Sequence, residues 1–480
     1  MKIRVSADRS LGKYKDPTQW QNSTLRYAPP ESFPAFLSGR IGRAKIMRTW
    51  ITLDEYWDYR TGEFYPDYDI GVARYAPETL HYVYDWASIV PAPSGTRFKA
   101  YLTSHAKEAD ELLLNVRRLE REVSDGVITY EQYEEIFEKA VEYAKSLAPN
   151  IRYVECCNEV DIKVFGLLTA EEYAKIYLAA YRAVKRLNEK HRYDLPLEIG
   201  GYAAAHPIHQ WDLMQGVMRI LKETEIGDCP MDFYSYHLYE LPESAGLFRK
   251  GRDAESELGG VGKLRRIMAQ HRELLKELDL PEKPVFLDEL GKARATGIDG
   301  DSLFNAASLL TYLIAFDSEG LEGLYPFPWC TFHNPKLQIS YTQFLLNADG
   351  SYSATPNGHV IEILHGLSGN RLPISVTEAT GKDVEFRAIA TKDGDTLSLV
   401  ITNPTTDCSS VEFALEGLED GAYHVEAYRC DAKENNIVTG KGTGVLEKSA
   451  EADRKAVNGV LRHRTFLEPN ALALYRIIRA

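Results

Sequence analysis

The stretch ITYEQYEEIFEKAVEYAKSLAPNIRYVECCNEV, residues 128–160, holds one complete unit of the fold. In its first part, Ile128–Leu147, the residues Tyr130, Tyr133, Ile136, Phe137, Ala140, Val141 and Tyr143 recur at helical spacing and predict an amphipathic helix. Ile151–Cys157 follows as a short, nearly continuous apolar run, the pattern of a strand covered on both faces. At its end the chain turns polar, with Asn158-Glu159. A helix that feeds a buried strand is the repeating element of α/β architecture.

The same alternation continues outward. Thr169–Asn188 reads as a long helix whose Thr169 and Glu172 have capping-box spacing. Leu197–Gly200 is the next strand. Helix Gln210–Glu223 precedes strand Met231–Tyr239, helix Leu258–Leu278 precedes strand Lys283–Leu290, and helix Asp301–Ser318 precedes strand Gly323–Trp329. Toward the N-terminus, Ala44–Leu53 and Glu111–Val116 are strand candidates between long aromatic loops such as Tyr56–Tyr59. Strands near residues 24, 46, 113, 154, 198, 234, 286 and 325 make eight, which predicts a (β/α)8 TIM barrel. A doubly wound open sheet is the alternative, but no Gly-rich phosphate fingerprint accompanies it. Asn357–Leu367 reads as the last barrel helix. Beyond it the segments Val384–Ala390, Thr396–Thr402, Ser410–Ala414, Tyr423–Tyr428 and Ala471–Ile478 are short and alternating. They predict a C-terminal antiparallel β-sandwich over residues 369–480, after a barrel over 1–368.

The 480 residues carry a formal net charge of −14. Such a far field repels polyanions, so neither a nucleic-acid nor a membrane partner is expected, and a neutral or cationic ligand fits better. No run approaches the roughly 18–20 apolar residues of a membrane span. Met1–Asp8 lacks the apolar run of a signal peptide, so a cytoplasmic location is expected. The six cysteines form no CxxC pair and are expected as buried thiols in a reducing compartment. His206 and His209 lack a carboxylate at ligand spacing, so no metal is expected. No GxSxG motif is present.

In a barrel of this kind chemistry sits at the C-terminal ends of the strands. Two carboxylates occupy such ends, Glu159 and Glu289. A single strand-end Glu is ordinarily a solvated or ion-paired side chain. Two on separate strands that face one mouth form the arrangement glycoside cleavage needs, one group protonated to donate and the other ionised to attack. Asp288 is the rival nucleophile, but strand alternation points adjacent residues to opposite faces and favours Glu289.

These motifs resemble those of clan A glycoside hydrolases, and within them the β-xylosidase and α-L-iduronidase family, family 39. Asn158-Glu159 is similar to the Asn-Glu pair that ends strand four of that clan, with the Glu as acid/base. Phe286-Leu287-Asp288-Glu289-Leu290-Gly291 is similar to its nucleophile-bearing strand seven. Tyr236-His237-Leu238-Tyr239 looks like the His-x-Tyr of strand six, Met47-Arg48-Thr49-Trp50 like the Arg of strand two, and Trp329 like the Trp closing strand eight. The resemblance covers nearly the whole chain, including Leu467-Glu468-Pro469-Asn470, and it implies that residues 1–8 add a strand to the sandwich. It implies a retaining glycosidase with Glu159 as acid/base and Glu289 as nucleophile, an oligosaccharide or glycoside substrate, and no cofactor. Arg48 would hold Glu289 ionised, and Tyr239 would orient it. Asn158 would contact the sugar 2-hydroxyl, His237 would support the sugar or the acid, and Trp329 would lie under the ring. The plainer roles are a structural ion pair for Arg48, a core position for His237, packing for Trp329 and another direction for Tyr239. The chain departs from the family pattern at Cys157, where Trp is common, at Val160, where Pro is usual, and at Thr49-Trp50, where the nearest pattern is Gly-His. Trp57, Tyr202, His206, His209 and His333 are candidates either for lining subsites or for packing. A non-catalytic carbohydrate-binding barrel and a transglycosylase on the same machinery are the rival functions.

Overall fold

The computed structural model describes residues 1–24, 26–72, 95–162, 165–240, 258–292, 302–316, 318–335 and 340–480. Its centre is an eight-stranded parallel sheet built from Trp20–Asn22, Ala44–Thr52, Ala109–Arg117, Ile151–Cys156, Glu198–Ala204, Tyr234–Glu240, Val285–Lys292 and Leu324–Pro328. Each strand pairs with its sequence neighbour. The first and last strands meet where Asn22 Nδ2 donates to the Phe327 carbonyl at 2.9 Å. The sheet is therefore the barrel that the alternation predicts.

The helices form where the apolar stripes lie. Tyr130–Leu147 and Ala170–His191 begin at Thr129 and Thr169, and in each the Thr hydroxyl and the side chain three residues on exchange hydrogen bonds with the first turn. Their stripes face the strands, and Arg182 and Arg186 tie the second helix to Glu134 on the first. The helix predicted from Asp301 runs Ser302–Ala315, and Asp301 itself lies outside the described residues. Every residue of this helix except Phe304 is buried, because the sandwich covers its outer side. Thr402 Oγ1 reaches the Ala307 carbonyl at 3.1 Å across that contact.

The barrel interior is layered by the two-residue period of the strands. Ile46, Leu113, Tyr153, Phe233, Phe286 and Phe327 form a buried apolar plug of their own. Their rings meet edge-on and tilted, with Phe233 4.9 Å from Phe286 and Tyr153 5.2 Å from Phe286. Two residues further along the strands, toward the C-terminal mouth, stand Arg48, Asn115, Glu155, Ser235 and Asp288, all without exposed surface. Strand five leaves room for this packing only because it carries glycine. A Cβ on Gly200 would lie 2.2 Å from the Phe233 carbonyl oxygen, and one on Gly201 would lie 2.5 Å from Tyr173 Oη.

The second body consists of two sheets. One is ordered Ile374–Thr377, Lys2–Ser6, Ser409–Glu416, Val460–Leu467. The other is ordered Asn370–Arg371, Ala388–Asp393, Thr396–Thr402, Leu472–Arg479, Gly421–Cys430, Lys448–Ala456. They enclose a core that includes Ile3, Val5, Leu399, Phe413, Val425 and Tyr475. The N-terminal strand lies within the first sheet and pairs in parallel with Ser409–Glu416, so the sandwich is not wholly antiparallel. The strand expected over Val384–Ala390 starts later. Asp383 takes φ +51°, a short 3-10 turn covers Val384–Phe386, and extended backbone begins at Ala388. Lys448–Ala456 and Val460–Leu467 escape a reading by apolar pattern because their outer positions are charged. No disulfide joins any of the six cysteines, and Cys229 and Cys330 are partly buried. Cys156, Cys157 and Cys430 are buried as expected, whereas Cys408 is exposed. Among the described residues no helix is long and apolar enough to cross a membrane.

Phe286 touches four other aromatic rings in and beside the plug. Phe286→Ala is expected to lower unfolding free energy by about 3–5 kcal/mol, read from urea denaturation. A loss under about 1 kcal/mol would show that the plug collapses around the cavity instead of holding the barrel open.

Candidate active site

Two backbone irregularities aim the strand-end carboxylates. After strand four, Cys157 and Glu159 both take positive φ, +68° and +50°, a conformation that non-glycine residues adopt rarely and that clusters at functional sites. The turn is held by Glu159 N–H on the Ala203 carbonyl at 2.8 Å, and by Asp161, whose carboxylate accepts the amides of Ala205 and His206 at 2.9 and 2.7 Å. On strand seven the register with strand six slips between Leu287 and Glu289, so Leu287 sits opposite Tyr236 and Glu289 opposite His237. Asp288 is the extra residue of this bulge. Counted from Phe286 in the plug, simple alternation turns Asp288 inward and Glu289 outward. The bulge turns Glu289 inward as well, so the expectation that only one of them faces the site fails and both face the barrel interior.

Arg48 is the hub. Its guanidinium has no exposed surface. Nη1 donates to Glu289 Oε1 at 2.7 Å, Nε and Nη2 donate to Glu155 Oε2 at 2.9 and 2.7 Å, and Nη2 also reaches Asn158 Oδ1 at 2.8 Å. Glu289 Oε2 accepts from Tyr239 Oη at 2.8 Å. Glu159 Oε1 lies 2.8 Å from His237 Nδ1, which is also 3.5 Å from Glu289 Oε2. Asn115 Nδ2 bridges Glu155 Oε2 and the Cys157 carbonyl at 2.7 and 2.6 Å, linking the buried layer to the turn that carries Glu159.

This environment separates the two glutamates electrically. Burial raises the Glu159 carboxyl above the ordinary carboxylate range, the neighbouring Glu289 charge adds to the rise, and the bond from His237 offsets part of it. Burial also penalises Glu289, but His237, Arg48 and the Tyr239 hydroxyl outweigh it and hold that carboxyl below the range. Burial would neutralise His237, yet Glu289 and Glu159 hold its pKa above the usual histidine value. One glutamate is set to keep its proton and the other to lose it.

Trp329 and Trp50 stack with centroids 5.5 Å apart and planes at 15°. The Trp329 indole N–H donates to Tyr239 Oη, so this tryptophan packs against the site and also steadies Tyr239. Trp50 has the Arg48 and Arg117 guanidinium carbons 5.4 and 5.6 Å from its ring centre. The structure thus brings together Arg48, Asn158, Glu159, His237, Tyr239, Glu289 and Trp329. The other candidates lie elsewhere. Trp57 is buried against Phe64 and Tyr59, and Tyr202 is a core residue within reach of the Met214 carbonyl. His206 and His209 form their own ring pair beyond strand five, and His333 lies 3.4 Å from Thr342 Oγ1. Sequence reasoning passed over Glu155, Asn115 and Ser235, and named Trp50 only as a departure from the family pattern. The signal for Glu155 was present, since it is the one acid within the run Ile151–Cys156.

Glu159, His237 and Glu289 each offer a ligand atom within 4.8 Å of the other two. These donors are a poor cation cage. Both Glu289 oxygens and His237 Nδ1 already have hydrogen-bond partners, and the Arg48 charge stands 2.7 Å away. His424, Glu426 and Glu451 form another trio, but it lies on the sandwich surface and Lys448 pairs with both acids.

No family model and no curated protein matches the chain by sequence. Solved structures do match it, over its full length. A monomeric β-xylosidase from Caulobacter crescentus CB15 superposes with TM-score 0.62 at 15% identity, covering 100% of this chain and 99% of that one. A glucosidase from Croceicoccus marinus gives 0.61 at 16% identity over 100% and 99%. A bacterial orthologue of human α-L-iduronidase gives 0.58 at 13% identity over 100% and 84%. The chain shares their whole two-part fold. At these identities the likeness is one of architecture, and any account of chemistry must come from the site itself.

Arg48→Met would leave buried carboxylates without their cation and is expected to cost about 3–5 kcal/mol at neutral pH, read from urea denaturation. Burial alone would raise Glu155, but Arg48, helped by bonds from Asp288 and Ser235, brings it down to about 2. A depressed carboxyl adds stability above its unfolded value of 4.5, and that stability is lost as pH falls toward about 2. The deficit of Arg48→Met should accordingly shrink as pH falls below 4.5. A deficit that is constant with pH would contradict the ion-pair account.

Proposed function

We propose that the chain is a retaining glycoside hydrolase in which Glu289 is the nucleophile and Glu159 the acid/base. The observation that carries this reading is that one oxygen of each of two carboxyl groups, from strands four and seven, lies within 4.8 Å of the other at the barrel mouth, with opposite shifts of proton affinity. Retaining enzymes hold their pair about 5–5.5 Å apart, whereas inverting ones leave about 6.5–9.5 Å for a water. The shared fold with a β-xylosidase, a glucosidase and an iduronidase orthologue supports the same class.

The steps follow from the hydrogen bonds. Arg48 on Oε1 and Tyr239 on Oε2 fix the plane of Glu289 and leave its lone pairs toward the anomeric carbon. As an oxygen of Glu289 bonds to that carbon, the bond to the leaving oxygen breaks and Glu159 passes its proton there. His237 on Glu159 Oε1 leaves Oε2 to carry that proton. Glu159, now ionised, takes a proton from water, the water oxygen attacks the anomeric carbon, and Glu289 departs as carboxylate. The positive field of Arg48 and His237 is what makes Glu289 a good leaving group in the second step.

Activity on a panel of aryl glycosides should rise with pH through a value below the ordinary carboxylate range, as Glu289 ionises. It should fall through a value above that range, as Glu159 deprotonates. Glu159→Gln should remove the falling limb. Glu289→Ala should abolish turnover on whichever glycoside the protein accepts, and added azide should restore cleavage with inverted product. Wild-type inactivity across the panel would favour a sugar-binding role, and Glu289→Ala that keeps native turnover would remove the nucleophile.

A further inference from the structure

Arg48 is surrounded by more acids than one guanidinium can neutralise. Glu155, Asp288 and Glu289 all lie within 3.0 Å of it. Four of its five hydrogens are assigned, Nε–H and one Nη2–H to Glu155 Oε2, the other Nη2–H to Asn158, and one Nη1–H to Glu289. Asp288 Oδ2 is 3.0 Å from Nε, but that hydrogen points at Glu155. Both Asp288 oxygens are buried without a donor. Two donorless oxygens on a carboxyl group that touches Glu155 are costly, and one shared proton satisfies the contact between the two acids. Its holder follows from counting donors. Glu289 has Arg48 and Tyr239, Glu155 has Arg48 twice, Asn115 and the Ser235 hydroxyl, and Asp288 has no donor of its own.

We propose that Asp288 is a neutral carboxylic acid in the resting protein, that it donates its proton to Glu155, and that it thereby acts as a positioning residue for the Arg48–Glu289 pair. Charged groups face Asp288 from each neighbouring element: Arg48 on strand two, Glu155 on strand four, His237 Nε2 at 3.5 Å on strand six, and Glu289 beside it. Burial and the Glu155 charge push the Asp288 carboxyl well above the usual range, the direction a donor requires. With that proton in place, the cations Arg48 and protonated His237 face two carboxylates. Without it, a third anion competes for Arg48 and draws it off Glu289. The bulge at Leu287–Glu289 is what lets Glu289 face Arg48 beside Asp288.

The test joins infrared spectroscopy on the resting protein to kinetics, and only the kinetic arm rests on the glycosidase reading. At neutral pH one carboxylic-acid carbonyl stretch should be present that disappears in Asp288→Asn and survives in Glu159→Gln, separate from the stretch of Glu159, which should be lost only in Glu159→Gln. Asp288→Asn, which keeps an N–H donor toward Glu155, should retain kcat within about tenfold, while Asp288→Leu should lose about 100-fold in kcat with KM little changed. Absence of a carboxylic-acid band assignable to Asp288 overturns the shared proton whether or not the protein turns over any glycoside. Equal losses in the Asn and Leu variants overturn the positioning role.

Discussion

A guanidinium with no exposed surface is the constraint on which the rest of this structure depends. Burying a charge costs several kcal/mol unless it is paired and fully hydrogen-bonded. The barrel meets that demand with side chains from strands four and seven and from the turn that carries Glu159. Because Arg48 joins these elements, the two glutamates have a fixed relation to one another. The same cation depresses Glu289, while Glu159, bonded to His237 instead, keeps its raised affinity. Structural ion pairing and chemical tuning are one set of contacts here, so the structural role foreseen for Arg48 and its functional role coincide.

Much of this was legible before any coordinates. Helix stripes and apolar strand runs are periodic signals that burial enforces, and they located all eight barrel strands to within a few residues. Glu159 and Glu289 were legible because polar residues ending buried strands stand out. The interior layer was harder to see. Glu155, Asn115 and Ser235 each sit two residues beyond a plug residue, Tyr153, Leu113 and Phe233, and that period was available in the strands themselves. Asp288 was legible only as an extra acid. A β-bulge inserts one residue without a composition signal, so alternation could not show that Asp288 and Glu289 both face inward. In the sandwich, Lys448–Ala456 and Val460–Leu467 were hidden because strands with one solvated face can be charged at most outward positions.

The departures from the family pattern also acquire a physical meaning. Trp50 stands where a smaller polar residue was the nearest pattern, and it fills the space between Arg48, Arg117 and Trp329. Through Trp329 and Tyr239 it adjoins the group that holds Glu289 Oε2. Cys157, buried with φ +68°, forms the first half of the turn that aims Glu159, and its carbonyl is held by Asn115. The aromatic pair and the groups that hold Glu289 are therefore built from touching residues, and a change in one shifts the other.

The central claim is that two close carboxyl groups, one charged and one protonated, carry out two successive displacements at a single carbon. The anomeric configuration of the first-formed sugar, followed by proton NMR before mutarotation on whichever aryl glycoside the protein cleaves, tests it most directly. Two displacements yield the anomer of the substrate. An opposite anomer would mean a single displacement by water, and Glu289 would then be a base rather than a nucleophile.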